Sequence, residues 1–291
     1  MTQLGAAEEA VPCLALDVGA TKVDAALVGA GGAIERRERL LVADAGEDLF
    51  ASIGEMVTAL LNGTRPHVVG VGCAGPMSAE GDTVSPLNIP QWRNFPLRAK
   101  LADLTGVPVY VEGDARALAL AEGRFGAARS VTSYLSMVVS TGIGGGIVLN
   151  RRLVDGDSRN AGHVGHLHVV DGGRACACGS TGCLEAEASG SAIEATTGRP
   201  ARDADEPTRR RSAELVGRAV GSLSAVLDFT HCFVAGSVAR GFGDAFFRTA
   251  TASAREVARL AYCASVEVRP SALGENGPLL GAALVGWRGV S

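Results

Sequence analysis

A histidine and three cysteines lie close together in the second half of the sequence. The four residues are His166, Cys176, Cys178 and Cys183. Three thiolates and one imidazole form a closed tetrahedral ligand set for structural Zn²⁺, with no coordination position left for a catalytic water. Three unrelated buried cysteines are the alternative, but the glycines between them are what a compact zinc knuckle requires. The spacing leaves His163 and His168 open as alternative nitrogen ligands.

Two short turns carry residues suited to binding phosphate. The first supplies four candidate ligands of a nucleotide, namely Asp17, Gly19, Thr21 and Lys22. Glycine allows an anion to approach the backbone, N–H groups and the Thr hydroxyl can bind phosphate oxygens, and an aspartate at a strand end can orient hydrated Mg²⁺. An ordinary hairpin turn would explain the same segment without any ligand.

The second turn lies within residues 140–146 and is richer in glycine. Its candidate phosphate ligands are Thr141, Gly142, Gly144 and Gly145. Four glycines in five positions carry a large entropic cost, whereas a plain hairpin needs only one or two. We therefore predict a loop that approaches a phosphate closely. A strand follows these glycines and no Lys-Ser/Thr pair is present, so neither a dinucleotide fingerprint nor a P-loop is predicted.

Two carboxylates could act on a substrate that carries hydroxyl groups. Asp114 follows a predicted buried strand, where it could accept the proton of an attacking hydroxyl while Mg²⁺ and loop amides offset the charge on a transferring phosphoryl group. A helix N-cap is the alternative role for this aspartate. Glu185, two residues after Cys183, could hydrogen-bond neutral hydroxyls, and a solvated glutamate at a helix start is its alternative.

These residues need a scaffold, and the sequence predicts an α/β protein of two lobes. A unit of strand, glycine turn and strand at residues 13–28 is echoed at residues 134–149, which indicates lobes of similar construction facing a cleft. We expect a small lobe from residues 1–113, completed by a C-terminal helix at 277–291. Residues 114–276 are expected to form the large lobe.

The spacing of apolar residues predicts the helices. They fall at residues 48–61, 97–104, 115–123, 212–229 and 244–262. Residues 196–208 are predicted to form a loop. The three arginines at positions 209–211 are expected on a solvated helix start beside acidic residues.

Composition and charge exclude several classes of protein. The net charge of −4 gives no electrostatic footprint for nucleic acid. The first basic residue is Lys22, and no apolar run approaches the roughly 18 residues of a membrane span. We therefore expect no signal peptide and a soluble, cytoplasmic protein. Three of the seven cysteines lie within eight residues, and in a reducing compartment this clustering suggests a metal site rather than disulfides.

Taken in order, these motifs resemble the ROK family, which comprises bacterial glucokinases, other hexose and N-acylhexosamine kinases, and sugar-responsive repressors. The resemblance extends from about Leu14 to Leu284, and its most specific part is Gly165-His166 followed by CACGSTGCLE at residues 176–185. It implies a two-lobed actin-like ATPase (ribonuclease H-like) fold with the zinc knuckle in the larger lobe. It also implies ATP with catalytic Mg²⁺, structural Zn²⁺, a small-molecule sugar and a homodimer.

The resemblance further implies a role for each candidate residue. Asp114 would be the general base, the two glycine turns would be the phosphate motifs, and Gly236 would belong to the adenosine motif. The zinc ligands would be His166 and the three cysteines. Sugar ligands would come from Gly75, Asn88, Gly113, Asp114, His163, His166 and Glu185.

Two residues depart from the pattern of the family's glucokinases. Gly113 stands where family kinases usually carry Asn, and the lost side chain would leave space for a substituent on the sugar ring. His163 stands where many glucokinases have Glu, and it completes the Ala-Gly-His that bacterial N-acetylmannosamine kinases also carry there. We expect a hexose kinase acting at the 6-hydroxyl. Amino or acylamino sugars, such as N-acetylmannosamine or 3-amino-3-deoxyglucose, and cyclitols are the alternatives to glucose.

Two other functions fit the sequence less well. Family repressors carry a helix-turn-helix domain before the first phosphate motif, whereas about a dozen residues precede Cys13, so a sugar-sensing regulator is not expected. A catalytic zinc hydrolase conflicts with the closed ligand set. The phosphoryl donor stays open between ATP and polyphosphate.

Overall fold

The structure is a computed structural model that describes residues 11–46 and 48–290. The described residues form two compact units. Unit 1 contains the chain up to Ala121, the segment Asp155–Ala161 and the chain from Glu275 onward. Unit 2 contains Glu122–Val154 and Gly162–Gly274. Residues 1–10 and 291, the outer ends of the predicted small-lobe segments, lie outside the described residues.

The described residues contain ten strands and nine α-helices. The strands are β1 (Cys13–Val18), β2 (Lys22–Val28), β3 (Ile34–Leu41), β4 (Val68–Cys73), β5 (Val109–Gly113), β6 (Tyr134–Val139), β7 (Ile143–Leu149), β8 (Arg152–Leu153), β9 (His231–Ala235) and β10 (Glu267–Pro270). The helices are α1 (Leu49–Leu61), α2 (Leu97–Thr105), α3 (Asp114–Arg124), α4 (Leu184–Ala188), α5 (Gly190–Thr197), α6 (Glu206–Leu227), α7 (Ser237–Phe242), α8 (Asp244–Val257) and α9 (Gly277–Val290).

Unit 1 is built on a five-stranded sheet of order β3-β2-β1-β4-β5. The first three strands form the antiparallel meander that the sequence predicts, while β4 runs parallel to β1 and β5 runs parallel to β4. In this register Asp17 lies between Asp24 of β2 and Gly72 of β4. Because parallel strands end at the same edge of a sheet, Asp17 and Asp114 are placed at one edge.

Helix α9 packs against the sheet of unit 1 at close range. A side chain at Gly70 of β4 would collide with the carbonyl of Ala282, and one at Gly281 would collide with the carbonyl of Ala117 in α3. Glycine is therefore required at both crossings. The same contacts hold the first turns of α3 in unit 1, so the division between the units falls after Ala121 and not before Asp114.

Unit 2 contains the second five-stranded sheet, of order β10-β9-β6-β7-β8. Strand β6 is antiparallel to β7 and parallel to β9, which repeats the arrangement at the centre of unit 1. Helices α6 and α8 pack with their backbones close together, since a side chain at Gly217 or Gly221 would collide with the carbonyls of Ala250 and Ala254. Across residues 11–46 and 48–290, no helix is long and apolar enough to cross a bilayer.

Two predicted helix boundaries in unit 2 are wrong. Helix α6 begins at Glu206, where the Asp205 side chain caps the N–H of Thr208, so the end of the predicted loop is helical. Helix α8 ends at Val257 and not at residue 262. The chain leaves the helix there and turns back, which buries Cys263 and the following Val266 in the core.

The prediction that the three arginines at 209–211 lie on a solvated helix start is also wrong for two of them. Arg209 donates to the carbonyls of Ala204 and Arg202, and Arg211 forms an ion pair of 2.7 Å with the buried Glu187. Only Arg210 makes the predicted kind of surface contact, a pair with Glu214 one turn later.

Candidate active site and metal centre

The first phosphate-type turn joins β1 to β2. The N–H of Gly19 donates to the carbonyl of Lys22 at 3.0 Å, and a Cβ at Gly19 would lie only 3.3 Å from that carbonyl. Asp17 precedes the turn on β1, and Thr21 is exposed at its tip. The turn is therefore a tight hairpin with the Thr21 side chain exposed at its tip.

Asp17 and Asp114 meet beside a glycine at the end of β4. A Cβ placed on Gly72 would lie 3.5 Å from the Cα of Asp114 and 3.7 Å from Oδ1 of Asp17. Burial, followed by repulsion from Asp114, raises the pKa of Asp17 to about 7. One oxygen of Asp114, the first residue of α3, accepts the N–H of Ala115 at 2.7 Å. The structure thus brings together the two carboxylates that the sequence assigned to Mg²⁺ and to the acceptor hydroxyl.

Lys22 is held by a charge cluster that the sequence analysis missed. Its ammonium lies 2.9 Å from the buried Asp24, which also receives Arg39 through two hydrogen bonds of 2.7 and 3.1 Å and lies 3.3 Å from Arg37. Burial alone would raise the pKa of Asp24, but hydrogen bonds from Arg39 and Lys22 lower it. The sequence did contain a signal, because alternate residues of β2 lie on one face.

Gly113 is the last residue of β5 and immediately precedes Asp114. The sequence predicts empty space beside Gly113, but another side chain occupies that space. A Cβ at Gly113 would lie 3.2 Å from the Cδ of Arg116. Arg116 is buried and donates to Glu112 at 2.7 Å and to Asp155 at 2.6 Å. The stem of an ion-paired arginine therefore covers Gly113, and its position is fixed by two carboxylates.

The segment Asp155–Ala161 supports the predicted sugar-side loop of unit 1. Asn160 accepts the N–H of Met77 at 3.0 Å and donates to its carbonyl at 2.9 Å. Met77 follows the cis peptide between Gly75 and Pro76. Asn88 lies exposed in the same loop region. No pattern in the sequence indicated that Asn160 would serve this loop.

The second phosphate-type turn, residues 140–142, is oriented by the start of α5. The N–H groups of Gly190 and Ser191 donate to the carbonyls of Ser140 and Thr141, at 2.7 and 3.1 Å. In a planar trans peptide the C=O and the following N–H point in opposite directions. The N–H groups of Thr141 and Gly142 therefore both point away from α5, an arrangement that suits an anion.

The glycines after this turn serve the protein's own packing, which corrects the predicted loop. Residues 144–146 lie within β7. A side chain at Gly162 would collide with the carbonyl of Gly145, and one at Gly165 would collide with the carbonyl of Ile143. Close backbone approach is therefore required here, as the sequence indicated, but the approaching backbone at Gly145 is that of residues 162–165.

The adenosine-type residue Gly236 lies at the start of α7. Its φ of 104° and the close carbonyl of Val139 both require glycine. The next residue, Ser237, places its hydroxyl 2.9 Å from that of Ser140. The start of α7 is thereby joined to the second phosphate-type turn.

Glu185 in α4 lies next to the same turn. Its carboxylate accepts the N–H of Ile143 at 2.8 Å. His166 is partly buried in a short 3-10 turn, Val164–His166, and His163 is exposed just before it, with the two rings 6.0 Å apart. Unit 2 therefore brings Glu185 and the histidine segment to the base of the phosphate-type turn.

The predicted zinc ligands converge in unit 2. The ligand atoms of His166, Cys176, Cys178 and Cys183 all lie within 4.8 Å of one another. The Sγ atoms of Cys178 and Cys183 are 3.8 Å apart, and Nδ1 of His166 is 3.6 Å from Sγ of Cys176. Tetrahedral Zn²⁺ with ordinary bond lengths requires separations of about 3.8 Å for S···S and about 3.6 Å for S···N. The four side chains thus fit a structural zinc ion.

The structure also decides which histidine belongs to this set. His168 uses Nδ1 for the carbonyl of Thr181 and Nε2 for Asp171, both at 2.9 Å, so neither nitrogen is directed at the cysteines. Among the three thiols, a backbone hydrogen bond involving Ser180 lowers the pKa of Cys178, whereas burial raises the pKa of Cys183 and raises that of Cys176 to about 12. A coordinating metal ion would deprotonate all three.

The segment that carries the three cysteines is anchored by Glu187, which the sequence analysis missed. Its buried carboxylate accepts the N–H of Arg174 at 2.6 Å and pairs with the guanidinium groups of Arg174 and Arg211, at 3.0 and 2.7 Å. Burial would raise the pKa of Glu187, but these donors lower it. The glutamate thereby ties the strand-like base of the knuckle to α6.

The sequence profile of the ROK family matches residues 13–287. The chain belongs to the ROK family. N-acetylmannosamine kinase from Haemophilus influenzae is 32% identical over 292 aligned residues, which cover 93% of this chain and 94% of that protein. Glucokinase from Thermotoga maritima is 37% identical over 184 residues, which cover 62% of this chain and 58% of that protein.

Among solved structures, the ROK family glucokinase from Streptomyces griseus, in complex with glucose and AMPPNP, matches with a TM-score of 0.83. The sequence identity is 28%, and the match covers 94% of this chain and 99% of that chain. The similarity confirms the predicted α/β fold of the actin-like ATPase type.

Proposed function

We propose that this ROK protein is an ATP-dependent sugar kinase that uses Asp114 as the general base. The observation that carries the proposal is the meeting of Asp17 and Asp114 beside Gly72. One carboxylate at that position suits a hydrated Mg²⁺ ion, and its neighbour suits the proton of an attacking hydroxyl. The glucose and AMPPNP bound to the Streptomyces griseus relative support the same pair of substrates.

The chain's own groups divide the reaction between them. Asp114 orients the acceptor hydroxyl, which we expect to be the 6-hydroxyl, and takes its proton during attack. The N–H groups of Thr141 and Gly142 hold phosphate oxygens of the donor, and Lys22 adds a positive charge near the first turn. Mg²⁺, when bound near Asp17, would neutralise charge on the transferring phosphoryl group.

The remaining site residues take the roles that the resemblance implies. Gly19, Thr21 and Gly236 would serve the nucleotide, and Gly75, Asn88, His163, His166 and Glu185 would serve the sugar. Gly144 and Gly145 lie within β7 and are not among the proposed phosphate ligands. The His166, Cys176, Cys178 and Cys183 set would hold structural Zn²⁺. We also propose a homodimer.

We propose an acylamino sugar of the N-acetylmannosamine type as the preferred acceptor. The support comes from the N-acetylmannosamine kinase of Haemophilus influenzae, whose match extends over nearly the whole chain. His163 agrees with that choice, because it completes the Ala-Gly-His that bacterial N-acetylmannosamine kinases carry. Gly113 also differs from the family's glucokinases, but the space expected beside it is covered by Arg116. The aliphatic part of Arg116 forms the surface beside Gly113. We therefore expect this surface to distinguish between sugars by shape more than by a lost hydrogen bond.

The decisive experiment is a coupled ADP-release assay over a panel of acceptors. The panel contains glucose, mannose, N-acetylmannosamine, N-acetylglucosamine, glucosamine, 3-amino-3-deoxyglucose and a cyclitol. We expect sugar-dependent ADP release with the highest kcat/KM for N-acetylmannosamine. Equal or higher kcat/KM for glucose would overturn the substrate proposal, and no sugar-dependent ADP release from any acceptor would overturn the kinase proposal. Replacing ATP by polyphosphate identifies the donor.

A further inference from the structure

Three parts of unit 2 meet at the peptide groups of one residue, Ile143. Its N–H donates to the carboxylate of Glu185 at 2.8 Å. Its carbonyl lies so close to Gly165 that any side chain at that glycine would collide with it. Ile143 is the first residue of β7 and directly follows Gly142 of the phosphate-type turn.

A constraint on Ile143 is transmitted to the turn. The N–H of Ser140 donates to the carbonyl of Gly142 at 2.9 Å, which closes the turn. The carbonyl of Gly142 and the N–H of Ile143 belong to the same rigid peptide plane. A carboxylate that holds this N–H therefore also fixes the carbonyl that closes the turn.

We propose that Glu185 is a positioning residue for the second phosphate-type turn, and that it couples the binding of sugar to the binding of nucleotide. The inference rests on the proposed function, in which Glu185 also contacts the sugar. A carboxylate has lone pairs enough to accept the Ile143 N–H and a sugar hydroxyl together. A bound sugar that orders the Glu185 side chain therefore also orders the turn and favours nucleotide binding. By thermodynamic linkage, bound nucleotide favours sugar binding to the same degree.

The metal-ligating set is adjacent to both residues that contact Ile143. Cys183 is two residues before Glu185, and His166 directly follows Gly165. Both are members of the metal-ligating set. Zn²⁺ bound by this set would therefore fix the position of Glu185, which accepts the Ile143 N–H, and of Gly165, which packs against the Ile143 carbonyl.

The test measures nucleotide binding in the absence of any sugar. Calorimetry gives the Kd of AMPPNP with Mg²⁺ for the wild type and for Glu185→Ala, Glu185→Asp and Glu185→Gln. Glu185→Gln keeps an acceptor for the Ile143 N–H, so its Kd should stay within about twofold of the wild type. Glu185→Ala loses the acceptor and Glu185→Asp withdraws it by one methylene, so both should weaken binding by about five- to twentyfold, part of the effect of a hydrogen bond to a charged group.

A second series of measurements tests the coupling between sugar binding and AMPPNP binding and includes controls for misfolded variants. Sugar should tighten AMPPNP binding in the wild type and should no longer do so in Glu185→Ala. Glu194→Ala, which removes an exposed carboxylate of the nearby α5, should change neither affinity. If Glu185→Ala is poorly folded, Glu185→Asp decides the matter, with zinc content and thermal unfolding as checks on both.

The outcomes separate this inference from the proposed function. Wild-type affinity for AMPPNP in Glu185→Ala and Glu185→Asp, with sugar affinity alone reduced, would overturn the positioning role and leave the kinase intact. A wild-type protein that binds no nucleotide and releases no ADP would instead overturn the function itself. Weaker nucleotide binding in Glu185→Ala and Glu185→Asp, together with near wild-type binding in Glu185→Gln, supports the inference.

Discussion

Asp17 and Asp24 are register partners on β1 and β2, yet their pKa values shift in opposite directions. Asp24 has Lys22 and Arg39 as hydrogen-bonded partners, which outweigh its burial. Burial and the neighbouring Asp114 both disfavour the ionised form of Asp17, so its pKa rises to about 7. The same strand pair therefore contains one carboxylate that stabilises the fold when ionised and one that destabilises it.

Replacing Asp17 should make the ligand-free protein more stable at pH 8. The folded pKa of about 7 lies above the ordinary value of 3.8, so the unfavourable effect of ionisation develops as the pH rises from about 4 to about 7. The full shift corresponds to about 4 kcal/mol, and solvent screening at this partly exposed group reduces the expected gain of Asp17→Asn to about 1–2 kcal/mol.

Chemical denaturation of the wild type and of Asp17→Asn at pH 4.5 and pH 8, without Mg²⁺ or nucleotide, checks this. The stability difference should favour the variant at both pH values and should be about fourfold smaller at pH 4.5 than at pH 8. A variant that is less stable than the wild type at pH 8 would contradict the assignment of the raised pKa.

Replacing Asp24 should have the opposite dependence on pH. The pKa of Asp24 is lowered in the folded state, so its stabilising effect is present at neutral pH and is lost as the pH falls through the folded value. Asp24→Asn removes the partner of Lys22 and Arg39 and should destabilise the protein by about 2 kcal/mol at pH 7.

The matched control is Asp82→Asn, which breaks the exposed pair with Arg98 and should change stability by less than about 0.5 kcal/mol. Urea unfolding at pH 7 and pH 3.5 measures both variants. An equal loss for Asp24→Asn at the two pH values would mean that packing, and not charge, explains its effect.

Replacing Asp114 by Asn should abolish turnover while leaving the binding of substrates largely intact. The amide cannot accept the hydroxyl proton, so kcat should fall by about 10²- to 10⁴-fold. Coupled ADP release and calorimetry with sugar give the two readouts. Asp103→Asn, on the exposed face of α2 in the same unit, should keep full activity; substantial turnover in Asp114→Asn would remove the proposed base.

Removing a zinc ligand should empty the metal centre and loosen unit 2. We expect about one zinc ion for each chain in the wild type and none in Cys178→Ala, since a structural site requires its full ligand set. A loss of about 2 kcal/mol would lower Tm by about 4–8 °C.

Cys263→Ala provides the control, because Cys263 is buried outside the cluster. Its zinc content should equal that of the wild type even if packing is weakened. Elemental analysis and thermal unfolding measure both quantities. Stoichiometric zinc in Cys178→Ala would show that Cys178 is not a required ligand.

Features carried by residue type and local spacing could be predicted from the sequence. The set of three cysteines and one histidine was recognisable because thiolates and imidazole have few other reasons to cluster. The strand-to-helix position of Asp114 followed from an apolar run that gives way to an alanine-rich one. The fold class followed from the repeated unit of strand, turn and strand, because local periodicity determines these elements.

Features that depend on contacts distant in sequence could not be predicted. The glycines of β7 looked like a loop because the backbone that approaches Gly145, residues 162–165, cannot be inferred from the segment itself. Asn160 serves a loop more than eighty residues earlier. Arg211 was expected in solvent because its partner, Glu187, belongs to another helix. Tertiary pairing decided each of these cases.

The position of α9 also bears on how the chain folds during synthesis. The sheet of unit 1 begins at Cys13, but the helix that packs tightly on β4 ends at Val290. The uninterrupted stretch from Gly162 to Gly274 leaves the ribosome before this helix, so unit 2 can fold while the apolar β4 surface is still uncovered. Until α9 has been synthesised, the apolar surface of β4 that this helix covers in the native fold therefore stays open to non-native contacts, and exposed surface of this kind makes a nascent chain prone to aggregation.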